Sequence, residues 1–298
     1  MSFLNDLRDN KTIIFDGGMG SLLAEKGLAL TGAANNLDHP KVVQEVHEEY
    51  LAAGSRCLIT NTLTLNEIYM NKKGALKIDL EAANRAAVVI AQEAIVQSGY
   101  SFEEVSVFGD MGPTGELLAP LGSGQADDFY QAYLRQAKTL AEAGVSGFIV
   151  ETVFDLEEAL LAVKACREIS PQLPVIMSIT FSTVKKGCRT VMGNKAIDCA
   201  ERAAAAGVDV VGTNCGDLSL AEISQIVTAM KPAGLPIIVQ PNAGKPVFDQ
   251  GRAVYNMSPD EFAEGMKLCH DAGAQVLGGC CGTTPEHIRA LCKLLESN

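Results

Sequence analysis

Eight short apolar or β-branched runs recur along the chain, at residues 12–16, 58–62, 105–110, 147–151, 174–180, 208–212, 236–240 and 275–278. Between them lie segments with helical spacing: Leu80, Ala83, Ala87, Ile90 and Ala94 set one apolar stripe along a helix. Strand and helix in alternation call for a parallel sheet, because a strand that returns in the same direction needs a crossover and a helix supplies it. Eight such units in 298 residues favour closure into an α/β fold of the (β/α)8 TIM-barrel type over an open doubly wound sheet. The helices stop on small residues, Ala143 with Gly144, Ala206 with Gly207 and Ala272 with Gly273, each followed at once by the next strand. No low-complexity linker or charge block interrupts the pattern, so one domain over residues 1–298 is expected.

In a barrel the loops that follow strand C-termini carry the chemistry. Residues 17–38, 110–125, 181–195 and 241–257 hold much of the Gly, Pro and Asn and are read as those loops. Charge narrows the function. A formal charge of −12 repels phosphate backbones and anionic lipid, so no nucleic acid is expected as a partner. The longest apolar run, residues 86–91, is far short of the ~20 residues of a membrane helix, and the N-terminal residues lack a signal core. No membrane association is expected, and the nine cysteines, an odd number in a long unexported chain, read as reduced thiols in a cytoplasmic protein.

Three of those thiols stand out. Cys280 and Cys281 lie in a glycine-rich turn (GGCCGT) at the end of the eighth run, and Cys215 lies in GTNCG at the end of the sixth. Three cysteines with one open position match a catalytic zinc, whereas a closed structural site takes four protein ligands. The flanking glycines let adjacent side chains reach one ion. The bland alternative is that the pair are buried, inert small hydrophobes. Cys57, Cys166, Cys188, Cys199, Cys269 and Cys292 read as structural, and of the four histidines, His39 and His47 are placed before or at the opening of a helix, with no metal-binding spacing among them.

After the first run, Asp16, Gly17, Gly18, Met19 and Gly20 set a carboxylate beside a bare backbone turn, suited to an amino acid's ammonium and carboxylate. The same residues also describe an ordinary strand-to-loop turn, and their spacing is not a dinucleotide fingerprint. Glu151, closing the fourth run, is a second acid on the rim or a cap for the next helix.

The chain resembles the homocysteine S-methyltransferase family, which includes the homocysteine-binding module of cobalamin-dependent methionine synthase. The likeness runs over nearly the whole chain, through DGGMG (16–20), HPKVVQEVHEEYLAAGSRCLITN (39–61), DMGPTG (110–115), ETVFD (151–155), GTNC (212–215), PNAG (241–244) and GGCCGTTPEH (278–287). It implies a (β/α)8 barrel whose Zn2+ is held by Cys215, Cys280 and Cys281, the residues that carry the reaction. It implies too that Asp16 and Glu151 meet the homocysteine amino group, with the Gly17 and Gly18 backbone near its carboxylate.

The product of such a site is methionine. The thiolate is the nucleophile, and a bound zinc keeps the homocysteine thiol ionised near neutral pH. DGGMG, ETVFD and NEIYM (66–70) look most like the cobalamin-dependent module, which continues into further domains, whereas this sequence ends with the last barrel helix. The donor expected is a methylated corrinoid on a separate partner protein. S-methylmethionine or betaine is the alternative, although Thr152 stands where betaine-using relatives carry tyrosine. Two other classes stay open: a barrel aldolase or isomerase, for which no strand-terminal Lys is found, and a zinc or amino-acid binding protein without turnover.

Overall fold

The computed structural model describes residues 3–28, 34–74, 78–249 and 252–296. Parts of two expected rim loops, residues 29–33 and 250–251, lie outside the described residues. The strands are β1 (Ile13–Ile14), β2 (Cys57–Ile59), β3 (Ser106–Met111), β4 (Gly147–Val153), β5 (Val175–Ile179), β6 (Val210–Asn214), β7 (Ile237–Gln240), the antiparallel pair β8 (Val247–Asp249) and β9 (Arg252–Val254), and β10 (Val276–Leu277). The helices are α1 (Phe3–Arg8), α2 (Met19–Glu25), α3 (Asn35–Asp38), α4 (Pro40–Ala53), α5 (Glu67–Lys72), α6 (Leu80–Gln97), α7 (Ala126–Ala143), α8 (Leu156–Ile169), α9 (Ala196–Ala205), α10 (Leu220–Met230), α11 (Pro259–Ala272) and α12 (Pro285–Glu296). No helix among the described residues is long and apolar enough to cross a membrane.

Eight strands form one parallel sheet in the order β1-β10-β7-β6-β5-β4-β3-β2. A parallel bridge between Phe15 and Cys57 joins the two ends, with Asp16 N–H donating to the Cys57 carbonyl at 3.1 Å. The sheet is therefore a closed (β/α)8 barrel. Helix boundaries follow local chemistry. Ser219 with Glu222 and Ser258 with Glu261 make reciprocal capping boxes at the starts of α10 and α11, and Gly144 at φ 95° ends α7. The stripe on α6 is buried through Ala83, Ala87, Ile90 and Ala94.

The pleat divides the core in two. Residues pointing outward, such as Phe148 and Val150 on β4 or Val175 and Met177 on β5, pack under the helices. Those pointing inward, Phe15, Cys57, Phe108, Ile149, Ile176, Val210, Ile238 and Val276, form a separate cluster to which every barrel strand or its extension contributes. Helix α1 plugs the N-terminal end of this cluster with Phe3 and Leu7, and Phe108 lies edge-on to Phe3 at 4.8 Å between ring centroids. A Phe108→Ala variant empties the centre of that layer. A loss of about 3–5 kcal/mol is expected, read from the urea midpoint by fluorescence or circular dichroism at constant slope.

Two features differ from the reading of the sequence. The loop after β7 contains the β8/β9 hairpin, which short polar and glycine-rich segments conceal. Strand β4 runs past Glu151 to Val153, with a register shift in its pairing to β5 and Thr152 at φ 62°. A β-branched residue rarely adopts that conformation. Here the Thr152 N–H and hydroxyl are both held by the Asn214 side-chain amide, at 3.0 and 2.7 Å.

Candidate active site at the barrel mouth

Because inward side chains recur every second residue, the layer above the apolar cluster is set by the same strands. Two positions after Phe108, Ile149, Ile176 and Ile238 come Asp110, Glu151, Ser178 and Gln240, all buried. Apolar packing thus gives way in one step to a polar floor. A cavity of about 290 Å3 opens over it, lined by Gly17, Gly18, Asp110, Glu151, Gln240, Cys280 and Cys281, with Ile59, Asn61, Leu63 and Tyr69 also on its wall. Asp16 stands just behind the wall, between the lining residues Gly17 and Ile59, and its Oδ2 accepts from the Ile59 N–H at 2.9 Å.

The three acids share an unusual condition. One oxygen each of Asp16, Asp110 and Glu151 is buried without a hydrogen-bond partner, as is Gln240 Oε1. Burial raises all three carboxyls above their ordinary range, and mutual repulsion adds to it between Glu151 and both Asp16 and Asp110. Glu151 is pushed up to about 7 by burial and by the charge of Cys281, against a hydrogen bond from Gln240 that pulls it down. Acceptors left bare at the floor of a cavity suit a ligand with several N–H donors and a positive charge.

On the same cavity wall lie Cys280 and Cys281, and Cys215 converges on them. The Sγ atoms of Cys215, Cys280 and Cys281 lie within 4.8 Å of one another, and they form the one such donor group among the described residues. Their backbone is tied together from several sides. Cys215 N–H donates to Gln240 O at 3.0 Å, and Cys280 N–H to Pro241 O at 2.8 Å. The Asn242 side chain accepts from Cys281 N–H at 3.1 Å and donates to Gly216 O at 2.8 Å, linking the two cysteine turns. Cys215 itself holds φ 56°, a left-handed conformation that a non-glycine residue adopts at a cost.

Crowded thiols share one charge. The Cys281 thiol is brought down to about 3 by hydrogen bonds from Cys215, Cys280 and, more weakly, the Tyr255 hydroxyl. Cys280, which donates, is driven well up. Cys215 is pushed up to about 12, since its donation to Cys281 and its burial outweigh what it receives from Cys280. A cation is what such a set lacks. Three half-buried sulfurs at this spacing fit Zn2+ with a position left open.

The first-strand turn and the cysteine turn interlock. A Cβ on Gly17 would come within 2.6 Å of Thr283 Oγ1, and one on Gly18 within 2.5 Å of the Cys280 carbonyl. Gly18 N–H donates to Thr283 Oγ1 at 2.9 Å, which in turn donates to Cys280 O at 2.6 Å. That amide is therefore committed to the fold, and of the two glycines named from the sequence Gly17 faces the cavity with the freer backbone.

The structure brings Cys280, Cys281, Glu151 and the Gly17–Gly18 turn to one cavity, sets Cys215 beside the cysteine pair and places Asp16 just behind the wall. The sequence reading passed over Asp110, Gln240, Asn242 and Tyr255. Asp110 carried a signal, an acid two residues beyond an inward Phe108, matching Glu151 beyond Ile149. Tyr255 carried none, since its approach to Cys281 depends on the hairpin. Cys57, Cys166, Cys199 and Cys269 are buried in the core, and Cys188 is buried in the loop after β5. His47 is not at a helix start but within α4, fully buried.

The chain is 30% identical over 295 residues to "Methionine synthase" of Mycobacterium leprae, across 94% of this chain and 24% of that protein. It thus spans about a quarter of the length of that relative. It is 27% identical to "Homocysteine S-methyltransferase YbgG" of Bacillus subtilis, covering 94% of this chain and 93% of that one. The fold matches the metallated form of the homocysteine methyltransferase MmuM from Escherichia coli with a TM-score of 0.78 at 23% identity, over 98% and 99% of the two chains. The family model for homocysteine S-methyltransferase matches residues 13–295, and the chain belongs to that family.

Proposed function

We propose that this chain transfers a methyl group to the thiol of homocysteine, yielding methionine, with Zn2+ held by Cys215, Cys280 and Cys281. One observation carries the reading: Cys280 and Cys281 of the three-thiol cluster and the buried carboxyls of Asp110 and Glu151, each with a partnerless oxygen, line a single cavity. An amino acid bearing a thiol fills both demands. Its ammonium faces Glu151 and Asp110, with Asp16 behind, and its carboxylate lies toward the Gly17–Gly18 turn. When bound, zinc supplies the positive charge that keeps a fourth sulfur ionised near neutral pH. The chain's own residues do the rest: Asn242 and the Gln240 and Pro241 carbonyls fix the cysteine turns, while the acids hold the substrate so that its sulfur reaches the open side of the cluster. The thiol proton goes to water. The sulfur pair then forms the new S–CH3 bond as the donor–methyl bond breaks, its electrons leaving with the donor.

The donor is assigned to a methylated corrinoid carried by a partner protein that docks at the barrel mouth. Exposed apolar side chains favour such a surface: Leu37, Leu117, Leu121, Val191, Val247 and Val254 all lie on segments that follow strand C-termini. A small donor is the second reading. It is favoured by a side cavity of about 430 Å3 between α2 and the hairpin, lined by Ser21, Glu25, Leu28, Val254, Tyr255 and Cys281.

Three tests follow from this reading. About one zinc ion per chain is expected by atomic absorption, and Cys215→Ala, Cys280→Ala or Cys281→Ala should each abolish methyl transfer and metal retention, whereas Cys166→Ala spares both. Full zinc content in a Cys280→Ala, Cys281→Ala double variant would overturn the ligand set. Glu151→Gln and Asp16→Asn should keep zinc yet weaken homocysteine binding by roughly 10- to 150-fold, the worth of a charge-assisted hydrogen bond; unchanged binding in both variants sinks the ammonium assignment. Methionine formation is expected with methylcobalamin or a methylated corrinoid protein, and robust turnover with S-methylmethionine or betaine alone would transfer the donor role to the side cavity.

A further inference from the structure

Helix α4 presents two fully buried polar side chains, His47 and Tyr50, one turn apart toward the first-strand turn. Tyr50 is accounted for. Its hydroxyl donates to Thr283 O at 2.9 Å and its ring fills the space where a Gly17 side chain would be. His47 is not. Both of its ring nitrogens are buried with no hydrogen-bond partner, and Nδ1 lies 4.0 Å from Asp16 Oδ2. Asp16 is equally incomplete, with Oδ2 held by Ile59 N–H and Oδ1 bare. An imidazole fully buried on the core face of α4, one turn from Val43 and Leu51, costs free energy unless something later uses its donor.

We propose that His47 is a positioning residue for the amino-acid site: its Nδ1–H closes onto the Asp16 carboxylate from behind when a substrate ammonium draws that carboxylate into its ionised, cavity-facing form. Burial keeps His47 neutral, down at about 4, so the group offers an N–H dipole rather than a competing charge. The His47 N–H would join Ile59 N–H at Oδ2 while the ammonium takes the bare Oδ1, and both need Asp16 as an anion. The helix thereby supports both ends of the turn, Tyr50 fixing Gly17 and Thr283, and His47 fixing Asp16. This rests on the proposed placement of the homocysteine ammonium.

The test compares two thiols on zinc-loaded protein by calorimetry: homocysteine, and 4-mercaptobutyrate, which lacks only the amino group. The parent should prefer homocysteine. His47→Leu removes a buried polar group that has no partner at rest, so its thermal midpoint should hold or rise, while its homocysteine affinity falls roughly 10-fold and its 4-mercaptobutyrate affinity does not move. His47→Asn, whose amide nitrogen overlays Nδ1, should recover part of the loss. An equal fall for both thiols, or no fall for either, overturns the role of His47 alone. A parent that binds both thiols equally well overturns the ammonium assignment and this inference with it.

Discussion

The two-residue pleat of a closed parallel sheet governs everything at the mouth of this barrel. Each inward position is followed, about 6.6 Å higher, by the next inward position of the same strand. Where the lower one is Phe108, Ile149, Ile176 or Ile238, the upper is Asp110, Glu151, Ser178 or Gln240. A shift of one residue in β3 or β4 would turn an acid into the helix interface and a large apolar side chain into the cavity. The well-packed apolar layer beneath is what holds the register, so residues that never meet a ligand decide where the acids point. The register shift at Thr152 ends this regime on β4 once Glu151 has been placed, and Val153 pairs with Ile179 beyond it.

Above the floor, precision passes from the sheet to interlocked turns. The cysteine turn after β10 touches the β1 turn through Thr283 and Gly18, the β7 loop through Asn242 and Pro241, and the hairpin through Tyr255 against Gly282. Cys215 reaches the same point by way of a left-handed backbone held by Gln240 O. Strain and close approach are concentrated where the sulfurs must meet. Chain segments more than two hundred residues apart in sequence, around Gly18 and around Thr283, are here within one hydrogen bond of each other.

Much of this was legible in the chain itself, and for a definite reason. Eight apolar runs with helical spacers in a chain of this length favour closure over an open sheet, so the barrel and its loop side followed from periodicity; cysteines beside glycine at two strand ends followed from the same frame. What periodicity does not carry is parity. Asp110 became visible only once Phe108 was known to point inward, and Asp16, named from its turn, shows its place one step behind the wall only in the structure. His47 and Tyr255 are harder still. Each meets the site through elements, α4 and the β8/β9 hairpin, whose placement depends on packing across the molecule and not on any local pattern.

The electrostatic character of the site then limits what can occupy it. Three carboxyls and three thiols are gathered in a space with no Lys or Arg among the described lining residues, and burial opposes each negative charge as repulsion among them does. Left alone, the set relaxes by keeping protons: one charge settles on Cys281, and the acids rise. Cations reverse that. A divalent ion among the sulfurs and an ammonium over the acids each restore ionisation at one end, and lowering the repulsion at either end eases it at the other, because Glu151 feels Cys281 directly. Metal and amino-acid ligand are thus coupled through the charge of the site, and a zwitterion whose ammonium and thiol are spaced by a short carbon chain is matched to both demands at once.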